Sequence, residues 1–326
     1  MRILIVGAGH VLRYHLGAIR RRWPDASVSV TDIDPAKANH PDLAGFNAIF
    51  VPEAERLAET QKVDLVVVCV PCSEHFAVAK EALRMRKTVL LEKPPTKTVA
   101  EFEKLQRIAQ THSALLVCAF HAAYDLTIGR FAAHLPDAKY GKLIGIQSEF
   151  SDPYVQDGLV ISSLGGSYED SAPNALSVVA RFVDPSRLRL WLAHFSNTVP
   201  ATTGITCTDS KAQVTYGFPD GTIAIHTDWV TGRNRKVTRL FFRSGISVLL
   251  HHSRQIILVG EHNQTENDMS LLFDCDNGTA RLDNHYNGVY DELKQAMATR
   301  MDNSHLGLQI TRLWTRAYHR ANIIIT

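Results

Sequence analysis

The chain has 326 residues, 45% of them apolar and 21% charged, with a formal net charge of +2. That balance is ordinary for a globular protein and too close to neutral to draw nucleic acid or an anionic membrane surface. The length allows two domains, and no apolar run approaches the roughly 18 residues that span a bilayer.

Five scattered cysteines make no disulfide framework, and the N-terminus shows no signal-peptide cleavage region, so a cytoplasmic setting is expected. Arg2 to Val6 reads as a buried strand, followed at once by Gly7-Ala8-Gly9 and a helix over His15 to Arg22. Strand, glycine turn and helix in that order are the context a dinucleotide fingerprint requires. The first two glycines allow a tight turn and close approach of backbone N–H groups to a pyrophosphate. The third position of the G-x-G-x-x-G pattern is Leu12, which serves helix–strand packing more than phosphate contact. The next strand, Ser27 to Thr31, ends in Asp32-Ile33-Asp34. An acid about 20 residues after the glycines is where a ribose 2′-hydroxyl is held, and Asp32 is the better placed. Two carboxylates there would repel a 2′-phosphate, so NAD is expected over NADP.

Phe46 to Val51 is expected as a short strand and Glu53 to Thr60 as a helix. Val63 to Val70 is a buried strand ending in Pro71-Cys72-Ser73-Glu74-His75, followed by an alanine-rich helix to Met85. Cys69 and Cys72 read as packing residues, because no second cysteine pair completes a zinc site; no metal is expected. The strand Lys87 to Leu91 runs into Glu92-Lys93-Pro94-Pro95, where the prolines stop it. Lys93 is thereby fixed at the carboxyl end of a strand, where open α/β sheets bind ligands, and its bond to Pro94 could be cis. Alone, the tripeptide also reads as a surface Glu–Lys pair before a breaker. A helix over Val99 to Thr111 and a strand over Ala114 to Phe120 complete a doubly wound parallel sheet across residues 1–121. His121, just past the last strand, is placed to reach a substrate, or is structural.

From residue 122 to 326 strands dominate: Lys142 to Phe150, Leu188 to Phe195, Gln213 to Phe218, Thr222 to Val230, Val237 to Arg243 and Gln255 to Val259. Turn signals such as Pro219-Asp220-Gly221 between them suit antiparallel hairpins, and helices over Tyr286 to Thr299 and Leu306 to Arg320 close the chain. This second domain is expected to be α+β. Gly165-Gly166 leads into Asp170 and Asn174, ahead of a helix over Ala175 to Val183. Asp170 or Ser171 would cap that helix and Pro173 would sit in its first turn. Asp170 and Asn174, four apart, would face the same way.

The N-terminal Gly-x-Gly, Pro71 with His75, Glu92-Lys93-Pro94 and the Gly-Gly…Asp170…Asn174 segment occur together in one order. In this combination the chain resembles the glucose-fructose oxidoreductase / inositol dehydrogenase family (Gfo/Idh/MocA). The resemblance implies a Rossmann domain, a C-terminal open sheet that lines the substrate site, and a homodimer or homotetramer formed through that sheet. It places a cofactor on Gly7, Gly9, His10, Leu12, Asp32, Val70, Pro71, His75, Glu92, Lys93 and Pro94. Its catalytic lysine and aspartate match Lys93 and Asp170, and its usual histidine falls on Asn174. Asparagine exchanges no proton near neutrality, so acid–base work falls to Lys93, Asp170 or both. Asn174 and the double proline are similar to the L-arabinose / D-galactose 1-dehydrogenase branch. Where that branch brings aromatic and histidine side chains to the sugar, this chain offers Asp152 and Tyr154. The expected function is an NAD-dependent dehydrogenase of a sugar or sugar-like polyol. The alternatives are a reductase of a ketone or imine and a silent NAD-binding regulator.

Overall fold

The computed structural model describes residues 1–135, 139–158, 164–199 and 206–320, with the backbone of 322–325. Two compact units form: Met1–His121 with His285–Thr311, and Ala122–Asn284 with Arg312–Thr326. Residues 285–311, expected in the second domain, group instead with the first.

The first unit runs β1 (Arg2–Val6), α1 (Leu12–Arg22), β2 (Ser27–Thr31), α2 (Pro41–Gly45), β3 (Ile49–Phe50), α3 (Arg56–Lys62), β4 (Leu65–Val68), α4 (Cys72–Arg84), β5 (Thr88–Glu92), α5 (Val99–Thr111) and β6 (Leu116–Ala119). Its sheet is parallel in the order β3-β2-β1-β4-β5-β6, so the order reverses between β1 and β4. Every residue of β4 and β5 is buried, as continuous Val/Leu runs require when both faces of a parallel sheet are covered. The strand expected over 46–51 shrinks to Ile49–Phe50, because Asn47 turns the chain through φ 52° just before it. The helix expected over 53–60 begins as a 3-10 turn, Glu53–Glu55, before α3. β6 is an edge strand, and the loop at 302–303 covers it. Asp302 accepts from Leu116 N–H at 2.9 Å, while Asn303 accepts from Cys118 N–H at 2.7 Å and donates to its carbonyl at 3.0 Å. Two side chains thus stand in for a further strand and protect the edge.

The second unit contains α6 (Leu126–Ala132), β7 (Leu143–Ser151), α7 (Ser167–Val179), β8 (Arg189–Asn197), β9 (Lys211–Phe218), β10 (Gly221–Asp228), β11 (Arg235–Phe242), β12 (Ile246–His251), β13 (Ile256–Glu261) and β14 (Ser270–Asp274). The helices α8 (Arg281–Thr299) and α9 (Ser304–Arg320) and the strand β15 (Asn322–Ile325) complete the chain. The sheet order is β14-β13-β12-β11-β7-β10-β9-β8-β15, antiparallel except for the β10/β7 and β15/β8 pairs. β12, β14, β15 and α6 were not expected. β12 is buried at five successive positions and so lacks the alternation that marks a half-buried strand. Every residue of α7 except Asn174 is buried, and the helix packs on β7, β9 and β10. Among the described residues no helix is long and apolar enough to cross a membrane.

Candidate active site

In the first unit, Gly7 turns through φ +106°, and an added Cβ would lie 2.6 Å from the Cys69 carbonyl oxygen, so the turn requires glycine. A Cβ at Gly9 would meet no heavy atom within 4 Å, which leaves the backbone there open to a ligand. Asp32 ties the turn down by accepting from Ala8 N–H at 2.7 Å and Asp34 N–H at 2.9 Å. Helix α1 starts after Val11 with no side-chain cap, and His10 beside it is exposed, whereas Leu12 is buried in packing. A glycine cradle, an uncapped helix start and an acid at the end of β2 fit a nicotinamide dinucleotide.

β1, β4 and β5 are neighbours in the sheet, so the Gly7 turn, Val70-Pro71 and Lys93 follow three adjacent strand ends at one edge. Lys93 is half-buried and its bond to Pro94 is cis. Two of the residues expected at the cofactor have buried side chains. The His75 ring is buried, with its nitrogens 2.9 Å from the carbonyl oxygens of Pro94 and Val70, and burial pushes its pKa down. Its single N–H in the neutral form donates to one of these carbonyls and holds the ring between the two loops. Glu92 is 5% exposed; it accepts from Tyr286 Oη–H at 2.8 Å and from Lys93 N–H at 3.0 Å. His15 Nε2 lies 3.2 Å from the same carboxylate, off the line of a good hydrogen bond. Burial alone would raise the Glu92 pKa. The His15 imidazole beside it, the electrostatic effect of His121 and the Tyr286 hydroxyl reverse this and hold it down to about 2. Glu92 therefore fixes the backbone of Lys93 from below.

In the second unit, α7 starts at Ser167, so Asp170 and Asn174 lie inside the helix and Pro173 is interior. The expected caps, Asp170 and Ser171, are thus corrected. The cap comes from a distant segment: Asp209 accepts from Tyr168 N–H at 2.9 Å and Ser167 Oγ–H at 2.6 Å. Tyr318 donates to Asp209 at 2.6 Å and accepts from Glu169 N–H at 3.0 Å. With the first-turn N–H groups satisfied this way, the helix extends upstream of the proline. Gly165 turns through φ +79°, and a Cβ at Gly166 would run into the Asp209 carboxylate. The two glycines thus let the chain pass the cap.

Asp170 is buried and Asn174 sits one turn on, with its Oδ1 buried and without a hydrogen-bond partner among the described residues. Asp152 pairs with Lys236 Nζ, which also donates to Ser151 O at 3.1 Å and Asn234 Oδ1 at 2.7 Å. Burial lowers the Lys236 pKa, and the Asp152 carboxylate beside it opposes that fall. Tyr154 packs on Trp229 at 5.3 Å; burial raises its pKa, as do the charges of Asp170 and Asp152. The structure therefore brings Asp152, Tyr154 and Asp170 into electrostatic reach of each other. Among the described residues no group of three or more His, Cys, Asp or Glu side chains is disposed to hold a metal.

Residues 1–120 match the model of the GFO_IDH_MocA oxidoreductase family, with its NAD-binding Rossmann fold. Over residues 1–120 the chain is therefore similar to the Gfo/Idh/MocA oxidoreductases. Among curated proteins, the uncharacterised oxidoreductase YhhX of Escherichia coli is 27% identical over 138 residues, 42% of this chain and 40% of that protein. The chain thus spans less than half the length of that relative. Among solved structures, levoglucosan dehydrogenase in complex with NADH has a TM-score of 0.81 at 13% identity, over 98% of this chain and 96% of that one. KijD10, a 3-ketoreductase from Actinomadura kijaniata solved with NADP and TDP-benzene, has a TM-score of 0.82 at 17% identity, over 100% and 99%. At such identities the likeness shows the fold, now over both units.

Sequence reasoning missed Asp209, Tyr318, Lys236, Tyr286 and His285. Lys236 carries no signal beyond being one basic residue at a strand start. Asp209 ends a threonine-rich stretch of sequence and looks like any loop acid.

Proposed function

We propose that the protein is an NAD-dependent dehydrogenase acting on the carbinol group of a sugar or sugar-like polyol. The observation that carries this reading is Lys93, fixed at the end of β5 on the same sheet edge as the Gly7 turn, where the strand order reverses. The nicotinamide, when bound, supplies the hydride acceptor. Lys93 hydrogen-bonds the reacting oxygen and helps remove its proton. Asp170 acts as base or orients that hydroxyl, and Asn174 uses its unpartnered amide oxygen to accept a neighbouring hydroxyl. Asp152 and Tyr154 serve further hydroxyls. A carboxylate at Asp32 favours NAD by repelling a 2′-phosphate.

A homo-oligomer through the open face of the C-terminal sheet goes with this reading. Trp191, 64% exposed on β8, lies across Gly217 on that face. The fold likeness to a 3-ketoreductase supports a second reading, reduction of a ketone by the same groups in reverse.

The test is cofactor reduction across aldoses and cyclic polyols, with NAD and NADP in parallel and Lys93→Met as control. NAD-linked turnover that falls about 10²–10⁴-fold in the variant, with NAD binding retained, is the expected result. Preference for NADP would overturn the role of Asp32. Turnover only of ketones with reduced cofactor would select the reductase. Tight NAD binding with no hydride transfer in either direction would make the protein a silent regulator.

A further inference from the structure

The first unit contains a pair of histidines that the dinucleotide turn does not use. β5 and β6 run in register, Glu92 opposite Ala119, so Lys93 and His121 leave adjacent strands at one edge. Helix α8 brings the buried His285 against His121, with the two Nδ1 atoms 3.2 Å apart and the rings stacked at 5.5 Å. The His121 ring also stacks on Tyr286 at 5.4 Å, and Tyr286 donates to Glu92.

Two imidazole nitrogens at this distance cannot both present lone pairs, nor both present protons, without repulsion. One must donate and the other accept. The bond made at one ring nitrogen then decides what the other nitrogen of the same ring carries. The buried His285 therefore couples its own tautomer to that of the half-buried His121. The charged and titratable groups facing the pair include Glu92 on β5, Tyr286 on α8, and His15 on α1 behind Glu92.

We propose that His121 is the proton acceptor of the reaction and that His285 is the positioning residue that fixes its tautomer. The proposal rests on the dehydrogenase reading above. In the oxidation the carbinol C–H bond breaks and its electron pair leaves as hydride to the oxidised nicotinamide dinucleotide. The O–H bond breaks, its proton passes to His121 while Lys93 holds the oxygen, and a carbonyl is left. On this proposal Lys93 orients the oxygen, and the base role that the reading above divides between Lys93 and Asp170 passes to His121.

The first test uses the full chain without cofactor. Ring-nitrogen NMR should show one protonated and one unprotonated Nδ1, coupled through the hydrogen bond. That coupling should vanish in His285→Phe. His285→Asn places an amide where Nδ1 stood and should hold His121 in its wild-type tautomer. In turnover, His121→Gln should lower kcat/KM by about 10²–10⁴-fold with NAD affinity unchanged. His285→Phe should lower kcat about tenfold at constant KM and move the acidic limb of the pH profile, and His285→Asn should restore much of kcat. Two uncoupled rings would overturn the pairing. An active wild type whose His121→Gln variant keeps its rate and pH profile would overturn this proposal alone. A wild type silent on every substrate would overturn the dehydrogenase reading and this proposal with it.

Discussion

Glu92 in the first unit and Asp209 in the second are both buried carboxylates surrounded by donors, yet their acidities move in opposite directions. Burial pushes each pKa up. Around Glu92 the adjacent His15 imidazole, with His121 and the Tyr286 hydroxyl, overturns that push and leaves it at about 2. Around Asp209 the donors are Ser167, Tyr318, the Tyr168 N–H and Thr208, all neutral, and the pKa stays raised. Neutral hydrogen bonds are enough to keep a buried carboxylate in place, but side chains able to carry positive charge beside it are needed to make it a strong acid. The first unit therefore puts a firmly ionised group beneath Lys93, while the second uses a reluctant one purely as a helix cap.

Removing the cap should have the largest effect. Asp209→Ala takes away the partners of Ser167, Tyr168 N–H and Tyr318 at once. One lost cap costs about 1 kcal/mol and each orphaned buried donor about 1–3 kcal/mol, so a loss of about 3 kcal/mol or more is expected. Thermal melting should fall by roughly 6–12 °C, and hydrogen exchange should quicken in the first turn of α7 before the rest of the sheet. Asp209→Asn, which keeps one acceptor oxygen, should recover part of the loss. Equal melting temperatures for wild type and Asp209→Ala would show that the helix start does not depend on this carboxylate.

The next effect is the response to acid, where the two groups have opposite signs. The folded pKa of Glu92 lies below its unfolded value, so its contribution is present above about pH 4.5 and disappears as pH falls through about 2. A shift of this size corresponds to something on the order of 3 kcal/mol. The folded pKa of Asp209 lies above its unfolded value, so its ionisation opposes folding at neutral pH and protonation relieves it. Urea unfolding between pH 7 and pH 2 should show a stability loss that flattens in Glu92→Gln. The same series in Asp209→Asn should show a steeper loss, because the compensating relief is gone. Parallel curves for all three proteins would break the contrast.

The part of this site legible in the sequence is the part whose chemistry is local. Gly7, Asp32 and Lys93 each mark the end of a strand, and a strand followed by glycines, an acid or prolines shows itself within a few residues. Asp170 and Asn174 were legible as a pair, but the start of their helix was not. Pro173 argued for a late start, and the cap that permits an early one lies 42 residues away. Tyr286 is 194 residues from the Glu92 carboxylate it bonds, and His285 meets His121 across 164. No periodicity or spacing rule bridges such separations, so the supports of the site appear only in the folded chain. For Glu92 and His75 the place in a motif was visible, and the burial of their side chains was not.

Asp152 is the intermediate case between Glu92 and Asp209, a carboxylate held by a single lysine. The three protons of Lys236 go to Ser151 O, Asp152 and Asn234, so its charge is spent on holding Asp152 and leaves no proton for a ligand. Its positive charge also offsets two acids, Asp152 and Asp170, that face Tyr154. If Asp152 accepts a substrate hydroxyl, Lys236→Met should swing or neutralise that acceptor without touching the hydride step. The expected result is a KM raised about tenfold, about 1.4 kcal/mol of binding, with kcat within about threefold. Melting should fall only slightly, because methionine fills most of the lysine stem's volume. Lys236→Arg keeps the charge but replaces a compact ammonium with a planar fork, and should restore only part of the KM. A fall in kcat at constant KM would place Lys236 on the reaction coordinate instead, and would shift the substrate-orienting role from Asp152 to Asp170.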